Sequence, residues 1–126
     1  MPYNPPFRTF QNGYSSDVPI PMLTSASVTA GQLLKISGDG TVAPVSAITD
    51  EVAGIADSDA ASGASVGVWP VVGVHDLVAS AAVTAGSPVE PSTTAGQVKT
   101  RTTGTRVGVA LTTAAGSPLK VRVLGG

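Results

Sequence analysis

The sequence predicts a small all-β domain made of two similar halves and preceded by an extended N-terminal arm. Apolar residues make up 42% of the 126 residues, yet they include only two Phe, two Tyr, one Trp and two Met. Most are therefore Val and Ala, and Val favours strands because its branched side chain packs well on a pleated surface. Fifteen Gly and ten Pro are typical of many short strands joined by tight turns. The third observation is an internal repeat.

Residues 1–25 are predicted to form the arm. They contain five of the ten Pro and almost no charge, and Pro biases itself and the preceding residue toward extended backbone. Four of the five aromatic residues also lie here: Tyr3, Phe7, Phe10 and Tyr14. Exposed aromatic side chains are a liability in water, and they dominate protein interfaces. We expect these four side chains to bind another chain; the alternative is that the arm folds back over its own domain.

Residues 26–126 are predicted to form the β domain, with repeat halves at about 27–74 and about 82–125. The pattern Val28-Thr29-Ala30-Gly31 returns as Val83-Thr84-Ala85-Gly86, and Ala53-Gly54-Ile55-Ala56 returns as Val107-Gly108-Val109-Ala110. The offset between the copies stays between 53 and 56 residues. Such a repeat predicts two copies of one supersecondary unit.

Each half is predicted to contain four strands. They cover 32–37, 41–45, 52–56 and 66–74 in the first half, and 87–91, 97–101, 106–111 and 119–124 in the second. The last is the clearest, because Leu119, Val121 and Val123 alternate with two bases. Val107, Val109 and Leu111 are predicted to share one face of their strand. Residues 66–79 are apolar on both faces, which predicts one long buried strand bent at Pro70.

The charges of the chain are few and segregated. From Asp39 to Glu90 there are seven acids and no Lys or Arg, and from Lys99 to Arg122 there are five bases and no acid. Oppositely charged regions can pair head to tail between identical subunits; chance scatter of few charges is the alternative. The net charge of −1 predicts no nucleic-acid partner. No apolar run reaches the length of a membrane helix, and the N-terminus lacks the pattern of a signal peptide, so we expect no membrane partner and no secretion.

Few residues are suited to catalysis or metal binding. The chain has one His and no Cys, whereas zinc sites need three or four His, Cys or carboxylate ligands. His75-Asp76 resembles a dipeptide of metal phosphohydrolases, but those sites need several His. Asp57-Ser58-Asp59 resembles the start of a calcium loop but lacks its Gly and distal Glu. The sequence therefore predicts a protein that is not an enzyme and holds no cofactor or metal.

The repeated motifs, taken in order, resemble those of the capsid decoration (cement) proteins of tailed bacteriophages. The likeness covers about residues 26–126 and rests on segments 28–35, 37–44 and 52–56 of the first half and 83–89, 107–111 and 119–123 of the second. It implies a small β-barrel or β-tulip domain that forms a homotrimer on the outer capsid surface of the virion. There the protein would bind the major capsid protein and stabilise contacts between its subunits. The alternative is another virion or cell-surface β module, such as a fibre base or a glycan-binding domain.

Overall fold

The computed structural model describes residues 19–115 and 119–125, and within these ranges it contains strands and no helix. The all-β prediction is confirmed. The described residues form ten strands: β1 Ile20–Thr24, β2 Leu33–Gly38, β3 Thr41–Pro44, β4 Val52–Ala56, β5 Ser65–Trp69, β6 Gly73–Val78, β7 Pro88–Pro91, β8 Val98–Thr100, β9 Gly108–Ala110 and β10 Lys120–Gly125.

The strands divide into two sheets in chain order. Strands β1 to β5 close into a barrel in the order β1-β3-β2-β4-β5, while β6 to β10 form a five-stranded sheet in the order β6-β10-β9-β7-β8. We call residues 20–69 half 1 and residues 73–125 half 2. In half 1 the barrel is closed by β1, which runs antiparallel to β5 and parallel to β3.

The two halves share one topology. Strand β6 takes the place of β1, and β7, β8, β9 and β10 take the places of β2, β3, β4 and β5, because their pairings match in order and direction. The parallel pair Thr24–Val42 of half 1 has a counterpart in the single parallel bridge Ala79–Val98 of half 2. The repeated unit therefore contains five strands, one more than the sequence pattern predicts.

The end of the predicted arm belongs to the barrel. Residues 20–24 form β1, so the boundary drawn after residue 25 falls inside the β domain. Its Pro content argued against a strand within the domain, but exposed Pro21 precedes Leu23 and Thr24, the two residues paired with β3. The missing N–H of Pro21 therefore costs no hydrogen bond in that pairing. The predicted anchors Tyr3, Phe7, Phe10 and Tyr14 lie outside the described residues.

The predicted long strand over residues 66–79 is two strands. Chain direction changes after Pro70, and Gly73, with a φ of 80°, begins β6 in the second sheet. Burial on both faces is wrong for this segment, since Val72, just before β6, and Val74, within it, are 54% and 52% exposed. The apolar run continues across the junction because Val72 and Val74 are apolar although they face outward.

The core consists of two clusters. One fills the barrel of half 1 and includes Leu34, Val42, Val66 and Val68. The other contains the counterparts of these residues in half 2 (Val89, Val98, Val121 and Val123) together with Leu33, Val45 and Ile55 from half 1. Neighbouring Leu33 and Leu34 thus serve different clusters, because successive side chains of a strand point to opposite faces. This division joins the two halves into one structure.

Candidate interaction surface

An exposed row of apolar side chains crosses the outer face of half 2. Leu124 of β10 lies opposite Val74 of β6 on one side and Val109 of β9 on the other, and Val109 lies opposite Pro88 of β7. Val74 and Leu124 are 52% and 47% exposed, and Pro88 and Val109 are half-buried. We call these four residues the apolar row. Contiguous exposed apolar side chains mark places where another molecule binds.

Polar and further apolar side chains border this row. Arg122 lies next to Leu124 on the same face of β10, and its Nε donates to Asp76 Oδ1 at 3.0 Å. Hydrogen bonding from Arg122 holds the pKa of Asp76 below its usual value. Leu111 is 45% exposed, and its N–H donates to the carbonyl oxygen of Arg122. An apolar centre with a polar border is the common anatomy of protein interfaces.

The alternation of β10 explains how the row forms. Val121 and Val123 point into the core, so Arg122 and Leu124 must point outward. Outward bases are expected on such a strand, whereas an outward Leu is not explained by folding alone. Sequence reasoning found the alternation but did not single out Leu124, although its phase opposite to Val123 was a usable signal.

The predicted common face of Val107, Val109 and Leu111 does not form. Val107 is buried in the core cluster, Val109 is half-buried in the apolar row and Leu111 is exposed. The strand turns Ala110 inward instead, where it pairs with Val123 and is 1% exposed. Strand β9 is only three residues long, so alternation does not extend to the residues on either side of it.

Half 2 also contains a buried carboxylate. Glu90 is 0% exposed and accepts hydrogen bonds from Gly104 N at 2.7 Å and Thr102 N at 3.0 Å, while Lys99 Nζ lies 2.6 Å from it. Burial by itself would raise the pKa of Glu90, but the hydrogen bonds from Lys99, Gly104 and Thr102 outweigh it and hold the pKa at about 2. These contacts fix the loop that follows β8, so Glu90 acts as a structural group.

The sequence motifs considered for chemistry have structural partners. Asp57 Oδ1 accepts a hydrogen bond from Trp69 Nε1 at 3.2 Å, and Asp59 Oδ1 accepts one from Ala30 N at 2.8 Å. His75 Nε2 lies 3.1 Å from the carbonyl oxygen of Val72. Within residues 19–115 and 119–125, His and carboxylate side chains form no group of three or more that could hold a metal ion. The same part of the chain has no helix long and apolar enough to cross a membrane.

Comparison with known proteins identifies related sequences and folds. The model of the phage cement protein family matches residues 11–125. The fold is similar to that of the head fiber gp8.5 N base of bacteriophage phi29, with a TM-score of 0.67 and 18% sequence identity over 85% of this chain and 92% of that one. Among curated protein sequences there was no significant match. The family match spans all ten strands and reaches into the predicted arm.

Proposed function

This chain belongs to the phage cement protein family, and from that premise we propose that it binds the outer capsid surface and stabilises contacts between major capsid protein subunits. The observation that carries the proposal is the family match over residues 11–125. Membership makes the chain a structural component of the phage virion, as the sequence resemblance implied. The finer assignment, to the outer surface and to the major capsid protein, is the proposal.

The chemistry of the described surface supports a binding role. Its acidic motif around residues 57–59 is engaged in structural hydrogen bonds, as Asp57 and Asp59 illustrate. The surface offers apolar side chains instead. Covering them with another protein stabilises the complex by about 25 cal/mol per Å² of apolar surface buried. On an icosahedral shell such modest contacts recur at every equivalent site, so their sum is large.

The arm supplies the proposed capsid anchors. Tyr3, Phe7, Phe10 and Tyr14 are the aromatic residues of residues 1–18, and aromatic side chains contribute large buried areas at interfaces. We assign them to contact with the major capsid protein or with a sister subunit of the proposed homotrimer. The β domain would then provide the rigid body that the arm fastens to the shell.

Binding to undecorated capsids tests the proposal directly. We expect the purified protein to cosediment with expanded capsids that lack it and to raise their melting temperature. A variant without residues 1–18 should bind more weakly and keep its fold, because the truncation spares Pro19 and β1. A matched control replaces the four arm aromatics by Ser in the full-length chain. If the wild-type protein neither binds capsids nor raises their melting temperature, the proposal fails.

The shared fold with the phi29 head fiber base favours one second candidate. In that case the chain would form the base of a fibre on the phage head, the alternative that the sequence analysis left open. Electron microscopy of the virion separates the two roles. Copies at regular sites over the whole shell support the cement role, while copies confined to the foot of projecting fibres support the fibre base.

A further inference from the structure

The joint between the two halves is built from a turn of half 2 and a face of half 1. Gly96, in the turn between β7 and β8, accepts a hydrogen bond from Leu33 N at 2.9 Å and donates one to the carbonyl oxygen of Val45 at 3.0 Å. The side chain of Gln32 packs so closely over Gly96 that a Cβ there would lie 2.6 Å from Gln32 Cγ. This face of half 1 continues through Ile55 to Trp69, its neighbour on β5.

The counterpart of this face in half 2 is uncovered. By strand register, Pro88, Val109 and Leu124 occupy the places of Leu33, Ile55 and Trp69, and Arg101 occupies that of Val45. Leu33 and Ile55 are 0% and 5% exposed, whereas Leu124 is 47% exposed and Arg101 is exposed. Three members of the apolar row therefore occupy the positions through which half 1 contacts half 2.

The counterpart of the covered turn is uncovered as well. Gly40, in the turn between β2 and β3, corresponds to Gly96, and both have a φ near 70° (71° and 72°). A Cβ at Gly40 would have no atom within 4 Å, in contrast to the crowded Gly96. Two exposed apolar side chains lie near this turn. Ile36 of β2 is 49% exposed, and Leu23 of β1, the strand that pairs with β3, is 54% exposed. Their half-2 counterparts Pro91 and Val78 are buried and half-buried.

The two halves that carry these open surfaces have opposite net charges. Half 1 carries five acids and one Lys, a net charge of −4, and half 2 carries five bases and two acids, a net charge of +3. Asp39 lies in the Gly40 turn, and Arg101 lies at the end of the apolar row next to Pro88, whose carbonyl oxygen accepts from Arg101 N. Placing the Gly40 turn on the apolar row as Gly96 sits on Leu33 and Val45 would bring Asp39 beside Arg101.

We propose that the protein associates head to tail with a second copy of itself, the Gly40 turn of one copy seated on the apolar row of the next. The joint repeats the one between the halves, with an Asp39–Arg101 ion pair added. It has one backbone hydrogen bond fewer, because Pro88 has no N–H to replace that of Leu33. Such a heterologous contact either closes into a ring or continues as a chain. It rests on the proposed function only for the expectation that the ring is the homotrimer.

Charge exchange tests this contact in the full-length protein without capsids. Sedimentation velocity should show a concentration-dependent oligomer for the wild type. Asp39→Arg and Arg101→Asp should each weaken association about tenfold to a hundredfold, since each places like charges together. The double variant should restore association, because the pair is re-formed with its charges exchanged. Leu124→Asp should also dissociate the oligomer.

Lys120→Asp is the matched control. Lys120 is an exposed base on the same face of β10, but it lies four residues from Leu124, a distance of about 13 Å along a strand. We expect it to leave association unchanged. Circular dichroism checks that every variant is folded, above all Arg101→Asp, because Arg101 Nε also donates to the carbonyl oxygen of Gly104 at 2.8 Å.

Three results would overturn the inference. One is a wild-type protein that stays monomeric, and another is an oligomer that survives Leu124→Asp and both single charge reversals. The third is failure of the double variant to recover association while it is folded. A monomer that still binds capsids would overturn the inference and leave the proposed function intact. An oligomer that does not bind capsids would overturn the proposed function and leave the inference intact. Row variants that lose capsid binding but keep the oligomer would assign the row to the capsid.

Discussion

Half 1 and half 2 have the same interior but different exteriors. The inward residues correspond one to one, as in Val66 and Val68 of β5 against Val121 and Val123 of β10. The outward residues do not: Trp69 packs against the shared core cluster, whereas its counterpart Leu124 is exposed. In a duplicated domain, the interior pattern is kept because both copies must close the same way. The outward residues differ because each half contacts different surroundings.

The largest expected difference concerns one pair of corresponding positions, Glu90 and Lys35. Glu90 is fully buried with its hydrogen-bond partners, whereas Lys35 is half-buried and lies 3.8 Å from Asp50. Glu90→Ala should lower the free energy of unfolding by about 3 to 5 kcal/mol, because it leaves buried donors and the Lys99 charge unpaired. Lys35→Ala should lower it by about 1 kcal/mol or less. Urea unfolding measures both; equal losses would contradict the assigned difference.

The next effect concerns the outward positions. Trp69→Ala should lower the free energy of unfolding by about 2 to 4 kcal/mol, since it removes a large side chain that packs between the halves and its hydrogen bond to Asp57. Leu124→Ala should change the same quantity by about 0.5 kcal/mol or less in dilute protein, where its side chain is exposed. Thermal and urea unfolding at low concentration give the comparison. A large loss at Leu124 would show that the row contributes to the fold itself.

A third test asks whether the interiors are equivalent. A Cβ at Gly54 would meet the carbonyl oxygen of Trp69, and one at Gly108 would meet that of Leu124. Each Gly→Ala variant should therefore lower the free energy of unfolding by about 1 to 3 kcal/mol, and the loss at Gly54 should be the larger, because its φ of 156° also disfavours a side chain. Gly86→Ala serves as a control, since its Cβ has open space and the left-handed backbone alone costs about 1 kcal/mol. A loss at only one of Gly54 and Gly108 would break the equivalence.

The last prediction concerns the pH dependence of stability, which appears only in acid. The pKa of Glu90 is about 2 in the folded protein against an ordinary value of 4.5. Its contribution to stability is therefore complete above about pH 4.5 and is lost as the pH falls toward 2. Urea unfolding at pH values between about 6 and 3 should show a steeper acid loss for the wild type than for Glu90→Gln. Parallel pH profiles would mean that Glu90 is not the group responsible.

The fold was predictable where residue pattern and pairing coincide. Alternation in β10 and the repeated Val-Thr-Ala-Gly motif located most strands, because both express inward packing. Strand β1 was missed for two reasons. Its Pro21 argued against a strand, and its counterpart, around Leu77 in β6, shares almost no sequence with it. Pairing across the barrel, which no local pattern reports, makes residues 20–24 a strand.

The candidate interaction surface was harder to predict than the fold. The segregation of acids and bases pointed to head-to-tail pairing, but not to Asp39 and Arg101. The contact proposed between them is inferred from the joint between the halves, which only the register of the strands reveals. Leu124 and Val74 are ordinary strand residues in sequence, and their exposure is a property of the assembled sheet. The arm aromatics remain a prediction from composition.

The way each half is closed has a consequence for synthesis. The first strand of each half pairs with its last, β1 with β5 and β6 with β10. A nascent chain can therefore complete the barrel once residue 69 has left the ribosome, but Leu33 and Ile55 stay uncovered until the Gly96 turn follows. Such contacts between distant residues form slowly, and apolar surface left open meanwhile attracts chaperones or other nascent chains. We expect the aggregation-prone stage of biogenesis to be the nascent chain that has exposed half 1 but has not yet exposed residue 96.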